Sequence, residues 1–489
     1  MPDRICGLSE PRHLSVPTMA AFGLGEVAGA FQNTAWSVLL LFYYQQIVGV
    51  EAALVGLAIG IAILVDGITD PLIGAWSDRV HSRWGRRHPM LLVSAAPLAL
   101  SFVLLFHPPQ GISDLGSFLW LTVFGVLVRA SYTFYNIPHL SLGAEMAGGY
   151  HQRSTLFGYS AFIAAMSVAL AYGLITGYYF PTTQEFDPGF LDASGYSRMS
   201  LTFAVVMVGA ILLCVVGTRK EIPYLRQTKQ RERLTTLGLL GEMKAVFSSG
   251  SFRAVFIGGI LAAVIIGVES AFMPFMGIYF WGFRTEQLLY LAFLGLITYP
   301  VAFMLIPLLT RRLGKKYVVI VALASWVIAA NTPICLRLLG ISWFPSNESP
   351  WILWIFLAAS AFGGVASPII AATVNSMLAD LSDEHELETG VRREGVIYAF
   401  RAFSLKATGA IGVILGGLLL SLIDFPTGAV RGDVAAETVW NLGLIAGPAT
   451  SIFSLLALVF YLRYKITYRR HQEITNALEM RRGIGVDTK

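Results

Sequence analysis

Asp66-Gly67-Ile68-Thr69-Asp70-Pro71 stands inside the apolar run 53–77, and the loop after it reads Asp78-Arg79 and then Arg83-Trp84-Gly85-Arg86-Arg87. Residues 53–77 have the length and apolarity of a bilayer-spanning helix, so the two acids lie within a span. At i and i+4 they occupy one helix face, a turn apart. An ionised group at the centre of such a helix costs about 2.5–3.5 kcal/mol on insertion scales, so it turns to a protein interior and marks a functional site. Two acids with no base between them invite a cation.

The rest of the chain has the same character. Of 489 residues, 55% are hydrophobic and 13% charged, where soluble chains carry about 25% charged residues. Apolar stretches near 18–47, 53–77, 89–107, 115–145, 155–180, 199–218, 253–281, 287–310, 317–338, 350–379, 396–422 and 437–462 each suffice for one crossing. The expected fold is an all-α membrane protein with twelve transmembrane helices in two pseudo-symmetric six-helix bundles. The polar, basic segment in the middle divides it into an N-terminal bundle (1–218), a cytoplasmic central loop (219–252), a C-terminal bundle (253–464) and a cytoplasmic tail (465–489).

The formal net charge is +5, and its distribution separates a membrane topology from nucleic-acid binding. Arg79, Arg83, Arg86, Arg87, Arg311, Arg312, Lys315 and Lys316 fall in loops on one side, with the central loop and the tail. Opposite loops hold only Arg198, Arg284 and Arg431. The positive-inside rule then places both termini in the cytoplasm of a multi-pass plasma (inner) membrane protein. The basic residues report topology, and no nucleic acid is expected as a partner. Cys6, Cys214 and Cys335 have neither disulfide-framework nor metal spacing, so no metal beyond a coupling cation is expected. There is no His-x-x-x-His, Gly-x-Ser-x-Gly or Walker loop. An enzyme, a cofactor and primary pumping are not expected.

The halves echo one another. Gly85-Arg86-Arg87 after the second span matches Gly314-Lys315-Lys316 after the eighth. Glu145, followed by Arg153, ends the fourth span, and Asp380 and Asp383, followed by Arg392, end the tenth. Asp78, Arg79, Glu145, Arg153, Asp380, Asp383 and Arg392 are candidate cytoplasmic gate residues, forming modest ion pairs that break on each cycle. Repeated halves around a midplane site suit alternating access, and a buried titratable pair suits a gated carrier better than a continuous pore.

Asp66-x-x-x-Asp70-Pro71, Arg83-Trp84-Gly85-Arg86-Arg87-x-Pro89, Asn136-Ile137-Pro138 and the block from Met377-x-x-Asp380-x-x-Asp383 through Thr389-Gly390-x-Arg392-x-Glu394-Gly395 to Lys406 stand in this order. Over essentially its whole length the chain resembles the glycoside–pentoside–hexuronide cation symporters, the melibiose-permease-like branch of the major facilitator superfamily. The resemblance implies a carrier that moves a small-molecule solute with Na⁺ or H⁺ (or Li⁺), and a monomer is the expected working unit. It implies cation binding by Asp66 and Asp70 with Thr133, and coupling through Lys406. The alternative for Lys406 is snorkelling to the interface.

The sugar-binding half of the family pattern departs. Positions that match its acids, arginine and tryptophans read Ala30, Asn136, Leu140, Ala161 and Ala371. Candidate substrate contacts are instead Glu26, Gln32, Asn33, Arg129, Tyr132 and Asn136. Arg129, Tyr132, Thr133 and Asn136 share a face at helical spacing. An arginine at that depth needs a partner, expected to be Glu26, Glu269 or an anionic substrate. His139, with no second histidine at ligand spacing, is expected to be a hydrogen-bonded pore or interface residue and not a metal ligand. Phe42, Tyr43 and Tyr44, with Tyr279, Phe280 and Trp281, read as an interfacial aromatic belt, with gate or substrate contacts as the alternative. The expected activity is cation-coupled symport of a glycoside, oligosaccharide or uronide. The alternatives are Na⁺-coupled transport of a lysophospholipid or other anionic amphiphile, and a sensor that binds without transporting.

Overall fold

The computed structural model describes residues 14–77, 80, 82, 84–147, 150–225, 250–390 and 394–484. Among them every regular element is helical: α1 (Val16–Leu24), α2 (Glu26–Phe42), α3 (Ala52–Ser77), α4 (His88–Leu105), α5 (Asp114–Met146), α6 (Tyr150–Gly173), α7 (Ala193–Thr218), α8 (Gly250–Phe275), α9 (Leu289–Leu338), α10 (Trp351–Thr389), α11 (Glu394–Leu422), α12 (Ala436–Leu444), α13 (Ser451–Leu462) and α14 (Tyr468–Ile484). Among the described residues ten stretches are long and apolar enough to cross a membrane. Two breaks raise these to twelve spans. Helix α9 turns at Gly314, whose φ of 76° and ψ of 155° are non-helical, and so supplies two membrane-length helices. Helices α1 and α2 join at Gly25 and together make the first span.

Local chemistry sets the ends. Ser113 Oγ accepts from the Gly116 N–H at 3.2 Å to start α5, and Asp192 Oδ1 accepts from the Ser194 N–H at 2.9 Å to start α7. Gly390, at φ 74°, ends α10 in the left-handed conformation that favours glycine. That end lies beyond the expected one, so Asp380 and Asp383 are helical residues. Pro71 in α3 and Pro138 in α5 remove the N–H groups that Gly67 and Phe134 carbonyls would use. In a membrane span such freed carbonyls are satisfied by neighbours or waters.

The chain divides into two compact units. One comprises Met1–Ser37, Val65–Tyr179 and Asp192–Gln230; the other comprises Val38–Leu64, Phe180–Leu191 and Arg231–Lys489. Within the first, Phe22 stacks on His139 with centroids 4.3 Å apart, and Phe31 meets Phe203 at 4.6 Å. Gly25 is required where the Tyr135 hydroxyl and the His139 ring press on it, since a Cβ there would lie 2.3 Å from Tyr135 Oη.

In the second unit, small residues bring backbones together. A Cβ on Gly412 of α11 would lie 2.5 Å from Val264 O of α8, and one on Gly417 would lie 2.3 Å from Ala52 O of α3. Such contacts are how membrane helices gain close packing without a hydrophobic driving force. The aromatic belt is corrected here. Tyr43, Tyr44, Tyr279, Phe280 and Trp281 are all buried in protein. Tyr279 packs on Phe425 at 5.0 Å and donates to Ala429 O at 2.8 Å, so its phenol needs no headgroup partner. The tail is more than a polar extension: α14 buries Ile474 and Leu478, one turn apart, in a core that includes Leu381 and Tyr464.

Candidate functional site

The acid pair of α3 faces α5 within the first unit. Asp66 is 1% exposed and Thr133 2%, while Asp70 is half-buried. Thr133 Oγ1 donates to Asp66 Oδ1 at 2.5 Å and also lies 3.1 Å from Asp70 Oδ1. A hydroxyl carries one hydrogen, so it cannot fully satisfy two carboxylates.

Arg129 stands one turn before Thr133 and reaches the same face. Its Nη2 donates to Asp66 Oδ2, and its Nη1 donates to Asn33 Oδ1 at 3.0 Å. Its guanidinium lies 5.5 Å from the Trp36 ring centroid, close enough for a cation–π contribution. This corrects the expected partner of Arg129, which is neither Glu26 nor Glu269. The i, i+4 spacing of Arg129 and Thr133 explains it, because both residues project to the side where α3 presents Asp66.

Glu26 belongs to a different group. It accepts from Ser160 Oγ at 2.8 Å and lies 3.7 Å from His139 Nδ1. His139 is hydrogen-bonded through Nε2 to Phe22 O at 3.0 Å, as an interface histidine should be. Tyr132 packs on Gly29, where a Cβ would lie 2.3 Å from its hydroxyl. Gln32 is fully buried, and among the described residues neither of its amide atoms has a hydrogen-bond partner. Asn136 is half-buried on α5. Of the ten candidate cation, coupling and substrate residues, the structure therefore brings together Asp66, Asp70, Thr133, Arg129 and Asn33. Lys406 stands half-buried on α11 in the second unit.

Three of the candidate gate residues, Glu145, Asp380 and Asp383, fall in two networks, each inside one unit. Glu145 Oε1 receives Arg86 Nη2 at 3.1 Å and Arg87 Nη2 at 2.7 Å, and Arg87 also donates to Ser77 Oγ. Arg153 does not pair with Glu145; its Nη2 donates to Ala144 O at 3.2 Å. In the second unit, Lys315 Nζ donates to both oxygens of Asp380 at 2.6 and 2.7 Å. Tyr464 donates to Asp380 at 3.2 Å, and His471 Nε2 lies 3.3 Å from Asp380 and 3.7 Å from Asp383. Burial, reinforced by Asp380, holds the Tyr464 phenol far above its usual range, so it stays a donor. Asp78, Arg79 and Arg392 lie outside the described residues. Ser77, Trp36, Tyr464 and His471 have contact roles that nothing in their local sequence announces.

The family described as MFS/sugar transport protein matches residues 21–468. The glucuronide carrier protein homolog of Escherichia coli (strain K12) is 27% identical over 491 residues, covering 97% of each chain. The uncharacterized symporter YjmB of Bacillus subtilis (strain 168) is 23% identical over 481 residues, covering 98% of each. Among solved structures, a mutant of the nucleoside transporter NupG superimposes with a TM-score of 0.64 at 13% identity, covering 92% of this chain and 100% of that one. At that identity the likeness speaks for the fold alone.

Proposed function

This chain belongs to the MFS/sugar transport family, and on that premise we propose that it is a secondary active transporter in which Na⁺ or H⁺ drives symport of a glycoside, oligosaccharide or uronide. One observation carries the coupling: Asp66 and Asp70, within a membrane span, converge on the single hydroxyl of Thr133. A cation bound there neutralises charge that a bilayer span otherwise holds at high cost. In the proposed cycle the cation loads at Asp66, Asp70 and Thr133, Lys406 senses the loading, and the substrate binds near Asn33, Tyr132 and Asn136. The two bundles then rock, releasing both solutes on the other side.

The glucuronide carrier homolog among the relatives supports a sugar or sugar-acid substrate. The lysophospholipid reading drew on the departures at the sugar-binding positions and on an arginine awaiting an anionic head; Arg129 is held by Asp66 and Asn33, which removes the second support. The topology we propose has both termini in the cytoplasm of the plasma (inner) membrane, with a monomer as the working unit. Loops rich in Lys and Arg on one side support that orientation.

The test is uptake into proteoliposomes with an imposed Na⁺ or H⁺ gradient, over a panel of glycosides and uronides, for wild type, Asp66→Asn and Asp70→Asn. Uptake that follows one gradient in wild type and is lost in both variants bears the proposal out. Gradient-driven uptake that survives in both variants removes the acid pair from coupling.

A further inference from the structure

Glu269 lies on α8, inside the second unit, away from the acid pair's own unit. It lines a cavity of about 30 Å³ together with Asn331 and Trp326 of α9, and with Thr450, Ser451 and Ser454 around the start of α13. Among the described residues Glu269 makes no hydrogen bond or ion pair, and no other charged side chain lines the cavity. A carboxylate inside a membrane protein without a partner is a functional-site hypothesis by default.

The donor and acceptor inventory of the walls says what would fit. Asn331 spends its amide hydrogens on Val327 O at 2.8 Å and Ser451 Oγ at 2.8 Å, and its buried Oδ1 has no partner among the described residues. Thr450 Oγ1 donates to Ala446 O and Gly447 O, both at 3.3 Å, and Ser451 Oγ donates to Gly447 O at 2.9 Å. Their hydrogens are thus engaged with backbone, and what they turn to other groups is lone pairs. The Trp326 indole N–H is a donor, but it lies against Gly363, where a Cβ would come within 2.9 Å of Nε1. The cavity presents oxygen acceptors and one acid, with the Ser454 hydroxyl and the Trp326 indole as its remaining donors, and no positive charge lines it. Its volume is on the scale of a single water, for which about 10–15 Å³ suffices. A small hard cation meets all three conditions, since it takes oxygen ligands and supplies charge.

We propose that the C-terminal bundle holds a second monovalent-cation site, for Na⁺, formed by Glu269, Asn331 Oδ1 and the hydroxyl oxygens of Thr450 and Ser451. It is separate in sequence and in structural unit from Asp66 and Asp70. The carrier then binds two cations, one in each half.

The test is direct ²²Na⁺ binding to purified protein, without substrate or transport. The variants are Asp66→Asn/Asp70→Asn, Glu269→Gln, Asn331→Ala and the triple carboxyl variant, each checked for folding by size-exclusion chromatography and melting. The expected result is that the double variant retains one equivalent of Na⁺, which is lost in the triple variant and weakened about tenfold or more by Asn331→Ala. Retained binding that Glu269→Gln leaves unchanged overturns the proposal, as does a double variant that binds no Na⁺. If Na⁺ does not bind but the infrared band of a protonated carboxyl disappears with Glu269→Gln, the group holds a proton and the Na⁺ assignment is wrong. Wild type and the double variant binding equally, with loss only on Glu269→Gln, would instead sink the acid-pair reading and leave this one standing.

Discussion

Arg129 places its guanidinium on Asp66, a carboxylate only 1% exposed. A fixed positive charge therefore sits on one of the two acids assigned to a mobile cation. Removing it with Arg129→Met leaves a buried charge uncompensated, a change that typically costs about 3–5 kcal/mol. Melting of the purified protein should show that loss, and Arg129→Met/Asp66→Asn should recover most of it. Added Na⁺ should stabilise Arg129→Met more than wild type, because the ion then takes the place of the guanidinium.

Thr133→Val keeps the shape of the side chain and removes the shared hydroxyl. Hydrogen bonds to charged groups are worth about 1.5–3 kcal/mol, and 1.4 kcal/mol is a factor of about ten. Cation affinity read from ligand-induced melting shifts should fall by about tenfold or more, and melting without cation should fall as well, because the hydroxyl donates to the buried Asp66 carboxylate.

The two ion-pair networks should respond unequally. Arg87 and Glu145 have side chains 5% and 8% exposed, whereas Lys315 is 31% exposed. Glu145→Ala strands a buried guanidinium and should cost about 3 kcal/mol or more. Lys315→Met leaves the buried Asp380 beside Tyr464 and His471, and because those two contacts remain the loss should be smaller than that of Glu145→Ala. Paired melting curves measure the difference.

A chain ending at Lys465 removes α14 and uncovers the apolar surface against which Ile474 and Leu478 pack. Each such side chain contributes about 1.5–3 kcal/mol when fully buried. The truncated protein should melt well below the full chain and be cleaved faster by protease near the end of α10, where Arg481 donates to Leu387 O at 2.7 Å.

Twelve spans were legible because about 20 apolar residues leave a strong signal in any sequence, and Asp66 and Asp70 because a charge in such a run stands out. The partner of Arg129 was not legible. It depends on how α5 is rotated against α3, and helical spacing names a face without saying what that face meets. The rings of Tyr43, Tyr44, Tyr279 and Trp281 misled for a related reason: an aromatic at a span end reads as lipid-facing until its neighbours are known. In the tail, Ile474 and Leu478 carried the i, i+4 signal of a docked helix, but a mostly polar composition around them hid it.

Gly85 has φ 78° and Gly314 φ 76°. Each is followed by basic residues bound to an acid near the end of the helix two spans later: Arg86 and Arg87 on Glu145, and Lys315 on Asp380. The chain thus contains two copies of one device, built from different residues in separate units. Any substitution made in one copy has an internal replicate in the other. A difference between Gly85→Ala and Gly314→Ala reports what the two sites do differently: both have a positive φ, but a Cβ at Gly85 meets Ile222 at 3.4 Å and one at Gly314 meets nothing within 4 Å.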